Sequence, residues 1–184
     1  MIGSQQAVEL AAAMLLPGLR DKRGRWVALL DGGSGAGKTS LAHGLATALA
    51  EASGRRLRVV SLDDCYPGWD GLAAGSAMVA EQILGPAGGY RRWDWTNDRP
   101  GAWVPLPPTD GLLVEGCGAI TPQSVALADV AVWVELSEPV RRARALARDG
   151  AAYAPHWNRW AEQEARHWRE HRPRELADVV LDLG

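Results

Sequence analysis

Residues Gly32, Gly33, Ser34, Gly35, Ala36, Gly37, Lys38, Thr39 and Ser40 form a run suited to holding polyphosphate. Within it, Gly32, Gly37, Lys38 and Thr39 satisfy the spacing G-x-x-x-x-G-K-[ST]. Glycines admit the positive φ angles and close backbone approach that let successive N–H groups surround phosphate oxygens. Lys38 can carry a mobile point charge to the outer phosphates, and the Thr39 hydroxyl can ligate magnesium. A helix beginning after the loop would turn its positive end to the same place. The chemistry implied is binding of a nucleoside triphosphate, ATP with Mg2+ in the first instance. The only lysines are Lys22 and Lys38, so a lysine inside the glycine-rich loop is informative.

Three further groups could act on a bound triphosphate. Asp63 and Asp64 follow an apolar run and could supply a base for an acceptor hydroxyl and a water-mediated magnesium contact. Neighbouring side chains diverge, so one of the two faces the phosphate, and Asp63 is our choice; a solvated turn or a helix cap would use the same acids. Glu115 closes the run Leu112-Leu113-Val114 and suits the magnesium shell. Arg141, Arg144 and Arg148 recur at i, i+3, i+7, which puts them on one helical face. Arg144 and Arg148 there could brace a phosphoryl group in transfer, or the helix could be a solvated surface element.

These residues need a scaffold that brings them together. Apolar runs at 26–30, 57–62, 112–114, 130–136 and 179–183 read as strands, and 38–52, 76–84, 139–148 and 157–171 as helices. Strands alternating with helices, apolar throughout rather than every second residue, indicate a parallel sheet covered on both faces. Ligands of such sheets bind beyond the carboxyl ends of the strands, where the loop, Asp63 and Glu115 all fall. Residues 8–16 read as an amphipathic helix capped near Ser4 and stopped by Pro17-Gly18. Residues 85–110 show no sustained period, although Trp93, Trp95 and Trp103 argue against disorder. Trp157, Trp160, Glu164 and Trp168 form a helical stripe of the kind that packs a core.

The chain has 184 residues, 47% hydrophobic and 23% charged, which fits a single domain. A formal net charge of -2 gives no field to draw nucleic acid or an anionic membrane. No apolar run reaches the roughly 20 residues of a membrane span. Cys65 and Cys117 lack metal-site spacing and read as free thiols of a cytoplasmic protein.

Taken in order, GGSGAGKTS, SLDDCY, LLVEG, an arginine helix ending in RDG and the closing ADVVLDL resemble the uridine kinase and phosphoribulokinase group of P-loop kinases. The resemblance touches most of the chain and implies a five-stranded parallel sheet of the P-loop NTPase fold, with a mobile lid at about 139–156. It implies that Asp63 activates the acceptor hydroxyl and that Arg144 and Arg148 reach the phosphates. An acceptor-region aspartate is best matched by Asp94, within the insertion at about 85–110. Tyr66 and Trp69 are placed to wall the acceptor site, and Trp93 and Trp95 could stack on a flat or sugar-like acceptor or serve as packing. The aromatic and histidine hairpin that reads a pyrimidine in uridine kinases is replaced by Trp103-Val104-Pro105-Leu106-Pro107-Pro108.

The expectation is therefore a kinase that moves the γ-phosphate of ATP to a hydroxyl of a small nucleoside-like or sugar-like molecule. A nucleoside monophosphate kinase would use Arg91, Arg92 and Arg99 on the acceptor phosphate. A nucleotide-binding switch or partner-driven NTPase would use the Trp-rich insertion as an interaction surface, although no guanine-specifying N-K-x-D pattern is present. Acceptor identity and oligomeric state have no signature in the sequence.

Overall fold

In the first strand, β1 (Trp26–Gly32), all seven residues are buried. Successive side chains of a strand point to opposite faces, and here both faces are covered. Val27 and Leu29 belong to one apolar cluster, while Ala28 and Leu30 belong to another on the far side of the sheet. The computed structural model describes residues 3–107 and 111–184. Its main sheet contains β1, β2 (Leu57–Ser61), β5 (Gly111–Glu115), β6 (Val130–Glu135) and β7 (Val179–Asp182), in the order β2-β5-β1-β6-β7 and parallel throughout. The second sheet is a hairpin of β3 (Gly89–Asp94) and β4 (Arg99–Pro105).

Helix α1 (Ser4–Asp21) packs with α2 (Lys38–Ser53) on the Ala28/Leu30 face. The opposite face is covered by residues of α3 (Leu72–Met78), the π-helical turn Val79–Ile83 and α6 (Trp157–His171). Short helices α4 (Pro122–Val125) and α7 (Pro173–Leu176) and the long α5 (Glu138–Tyr153) complete the chain. The fold is α/β, a five-stranded parallel sheet between two helical layers. Strand register sets Leu30 and Ser61 opposite Glu115, so the carboxyl ends of β1, β2 and β5 finish level with one another.

Several boundaries differ from the sequence reading, each for a physical reason. Helix α1 continues through Pro17 to Asp21 instead of stopping there, because its apolar face extends to Leu19, which is wholly buried. Its N-cap is Gly3, with no capping side chain. Residues 85–110 contain the β3–β4 hairpin, which the sequence hid because most of its residues on both faces are exposed and the register shifts between Arg91 and Trp93. Residues 108–110 of that insertion lie outside the described residues. The arginine helix runs past 148 to Tyr153, with a non-helical Gly150 inside it.

Candidate active site

The phosphate-loop sequence spans the turn from β1 into α2, at the carboxyl edge of the sheet. Gly37 has φ 93° and Gly35 φ 80°, backbone conformations that side-chain-bearing residues rarely adopt. A Cβ on Gly35 would also collide with the Arg141 carbonyl. Lys38 is the first residue of α2, and its Nζ donates to the Gly33 carbonyl (3.1 Å) and lies 3.4 Å from the Cys117 sulfur. Burial works against the Lys38 charge, but Cys117, Glu115, Glu164 and Asp31 around it outweigh that and hold its pKa above the ordinary lysine value.

Thr39 and Glu115 meet directly. The Thr39 hydroxyl donates to Glu115 Oε1 at 3.1 Å, and Ser61 Oγ donates to the same oxygen at 2.5 Å. Burial raises the Glu115 pKa, with Lys38, Ser61 and Thr39 pulling it back. The oxygens gathered here are hard donors of the kind that suit Mg2+, which keeps several waters and relies on one or two protein ligands plus phosphate. Among the described residues no group of three or more His, Cys, Asp and Glu side chains is placed to hold a metal alone. That donor set fits a magnesium ion carried with a triphosphate.

Asp63 lies in a single 3-10 turn (Leu62–Asp64) immediately after β2. It opens to solvent at the mouth of the site, yet protein crowds its carboxylate. That crowding raises its pKa, and the charges of Lys38 and Arg148 lower it in part. Asp64 diverges, pairing with Arg92 on the hairpin at 2.7 Å.

Two cavities meet at Asp63. The first, about 50 Å3, is lined by loop residues from Ser34 to Ser40 together with Asp63, Glu115, Cys117 and Arg148. The second, about 610 Å3, is lined by Tyr66, Trp69, Trp95, Tyr153 and Trp160, with Ser34, Asp63, Arg148 and Asp149 at its polar end. Ser34, Asp63 and Arg148 belong to both. Trp69 is the hub of the aromatic wall, stacked on His156 (4.2 Å between ring centres) and Tyr153 (5.4 Å) and tilted against Trp95 (5.2 Å). Trp95 Nε1 donates to the Asp63 carbonyl at 2.8 Å, which fastens the hairpin to the strand-end turn.

Solved structures share this architecture. A possible uridine kinase from Bacillus stearothermophilus superposes with a TM-score of 0.68 over 96% of this chain and 97% of its own, at 19% identity. A putative fructose transport system kinase from Silicibacter sp. TM1040 gives 0.60 over 92% and 98%, at 22% identity. The chain has the fold of a P-loop kinase. No family model and no curated protein sequence matches it.

Within this P-loop kinase fold, not every residue singled out from the sequence reaches the site. Arg144 is exposed on α5 and lines neither cavity, so the expected common face with Arg148 does not deliver both. Asp94 caps the hairpin turn: its carboxylate accepts from the backbone N–H groups of Thr96 and Asn97 (both 3.2 Å) and from Asn97 Nδ2 (2.7 Å). Trp93 is half-buried away from both cavities, its Nε1 without a partner. Arg91, Arg92 and Arg99 are held on the hairpin by the Gly101 carbonyl, Asp64 and Asp94.

Other contributors were not foreseen. Asp31, fully buried at the end of β1, accepts N–H bonds from Gly32, Gly118 and Ile120 and ties the loop after β5 to the phosphate loop. Its position one residue before the glycine run was the available signal. Tyr153 falls beyond the expected helix end. Glu164 and Arg141, read as core stripe and arginine face, both contact the loop.

Proposed function

We propose that the chain is an ATP- and Mg2+-dependent kinase that phosphorylates a hydroxyl of a small acceptor without a phosphate of its own. The observation that carries this reading is the position of Asp63 on the wall shared by the phosphate-loop cavity and the aromatic cleft. A base there can take the proton of a hydroxyl that enters from the cleft and faces the loop. Lys38 and the loop N–H groups would hold the outer phosphates, and Thr39, with Glu115, would hold magnesium or its waters. Magnesium would neutralise charge on the transferring group. Arg148, present in both cavities, would stabilise that charge as it moves, and the cleft would hold the acceptor in line.

The lining of the cleft supports a sugar-like or nucleoside-like acceptor. Trp69, Trp95 and Tyr153 offer ring surface, with Asp63, Arg148 and Asp149 as the polar groups beside it. A nucleoside monophosphate is less well served, because Arg91, Arg92 and Arg99 line neither cavity. A switch or partner-driven NTPase would have no use for a base between two cavities. The test is incubation with ATP, Mg2+ and panels of sugars, nucleosides and nucleotides, read by mass spectrometry for one added phosphate. A hydroxyl compound should gain phosphate and nucleoside monophosphates should not. Acceptor-independent ATP hydrolysis alone would overturn the proposal.

A further inference from the structure

Ser34 sits inside the phosphate loop, and both of its backbone polar groups are taken by side chains from far along the chain. Its N–H donates to Glu164 Oε1 at 2.7 Å, and its carbonyl accepts from Arg141 Nη1 at 3.1 Å. The two side chains also face each other at 3.4 Å, with Glu164 only 2% and Arg141 6% exposed. Arg141 Nε donates to the Leu136 carbonyl at 3.1 Å, and the guanidinium lies 5.5 Å from the Trp168 ring centre. With Nε and Nη1 turned to Leu136, Ser34 and Glu164, and no place in the lining of either cavity, Arg141 is positioned as a brace. The network continues to Lys38, because the Cys117 thiol donates to Glu164 Oε1 at 3.2 Å and receives Lys38 Nζ at 3.4 Å.

A buried ion pair contributes little net stability, since desolvation offsets its attraction, and well-packed apolar residues often serve the core as well. A pair that grips one loop peptide from both sides has a different use. We propose that Glu164 and Arg141 are positioning residues for nucleotide binding, which fix the conformation of the phosphate loop and couple it to α5 and α6; this rests on the reading of the loop as an ATP site. The carboxylate holds the Ser34 N–H, the guanidinium holds the Ser34 carbonyl, and the contact of Arg141 with Gly33 and Gly35 leaves no room for a Cβ at either. Arg148 lies about two turns further along the same helix. Loop shape and arginine position therefore share one support.

The test is calorimetric titration of Mg·ADP and Mg·ATP into the full chain, with urea unfolding measured in parallel, for wild type, Glu164→Gln and the double variant Arg141→Met/Glu164→Leu. Glu164→Gln keeps one acceptor for Ser34 but turns an amide N–H2 toward Arg141, and should weaken nucleotide binding on the order of tenfold. The double variant leaves the Ser34 N–H and the Ser34 and Leu136 carbonyls without these partners, so its urea midpoint should fall, and the folded protein should bind on the order of tenfold more weakly. Binding by Glu164→Gln or by the folded double variant within twofold of wild type overturns the inference. If the double variant does not fold, Glu164→Gln decides alone. Absence of nucleotide binding by wild type overturns the functional reading, and the inference with it, whereas wild-type binding with unaffected variants removes the inference only.

Discussion

Asp31→Asn should gain stability relative to wild type as pH rises from 4 to 7. Asp31 is wholly enclosed, and burial raises its pKa from 3.8 to about 6 against the opposing pull of the Ile120, Gly32 and Gly118 N–H groups and of Lys38. A raised carboxylate pKa means that the folded state binds more protons than the unfolded one between those two values. The stability that Asp31 contributes is then complete below about pH 3.8 and is lost as pH rises through about 6. Each pH unit between the two values is worth about 1.4 kcal/mol, so the loss by pH 7 is about 3 kcal/mol. Asparagine is the neutral isostere. Its oxygen can retain the Gly32 and Gly118 bonds, but its amide N–H2 cannot accept from the Ile120 N–H, a cost of about 1–3 kcal/mol that does not change with pH. The stability of the variant relative to wild type should therefore start below zero at pH 4 and move in its favour by about 3 kcal/mol by pH 7. For a chain of this size that is roughly 6–12 °C in Tm. Urea and thermal melts of both proteins at half-unit steps from pH 4 to 8 measure it, and other titrating groups largely cancel in the difference. A difference between variant and wild type that stays constant from pH 4 to 8 would show that the three N–H bonds outweigh burial and would refute the reasoning.

The remaining predictions concern the two cavities. Asp63 has its pKa raised by its crowded position, so turnover should rise with pH as Asp63 deprotonates, with a midpoint above the ordinary aspartate value; Asp63→Asn should remove that limb and lower kcat roughly 10²–10⁴-fold with ATP affinity retained, as pH–rate profiles and titrations would record. Arg148→Ala should cost on the order of 10²-fold in kcat, while Arg144→Ala should stay within about threefold, since only Arg148 reaches the cavities. Trp95→Ala removes the ring against Trp69 and the bond to the Asp63 carbonyl, and should raise the acceptor KM about tenfold with ATP KM unchanged in steady-state kinetics.

Much of the phosphate-loop half of the candidate site could be placed from the sequence because its parts are local. Gly32 to Ser40 are contiguous, Glu115 ends an apolar run, and strands buried on both faces advertise themselves by continuous apolar residues. The architecture followed from alternating strands and helices. The aromatic cleft was harder, because its wall forms only when the chain folds. Trp69, Trp95, Tyr153 and Trp160 come from four segments, and nothing in their spacing distinguishes the lining residue Trp95 from Trp93 two positions earlier. The hairpin itself lacked a pattern, since few of its residues bury and Asp98, at its turn, carries a positive φ without being glycine. Charges were ambiguous for a similar reason. Arg141, Arg144 and Arg148 look equivalent on a helical projection, yet one braces the loop, one meets solvent and one enters the cavities. Only the neighbouring α6, which supplies Glu164, separates the first from the others.

The hairpin has a consequence for how such a protein can diversify. Its residues pair mainly with one another, and it is tied to the strand-end turn through Arg92 to Asp64 and Trp95 to the Asp63 carbonyl. Substitution in the hairpin turn, where Trp95 lies, can reshape one wall of the cleft while Gly32 to Ser40 stay as they are. Change in the shape of the cleft can then proceed at a small, solvent-facing turn, while Tyr90 and Val104 anchor the base of the ribbon in the core beside the sheet.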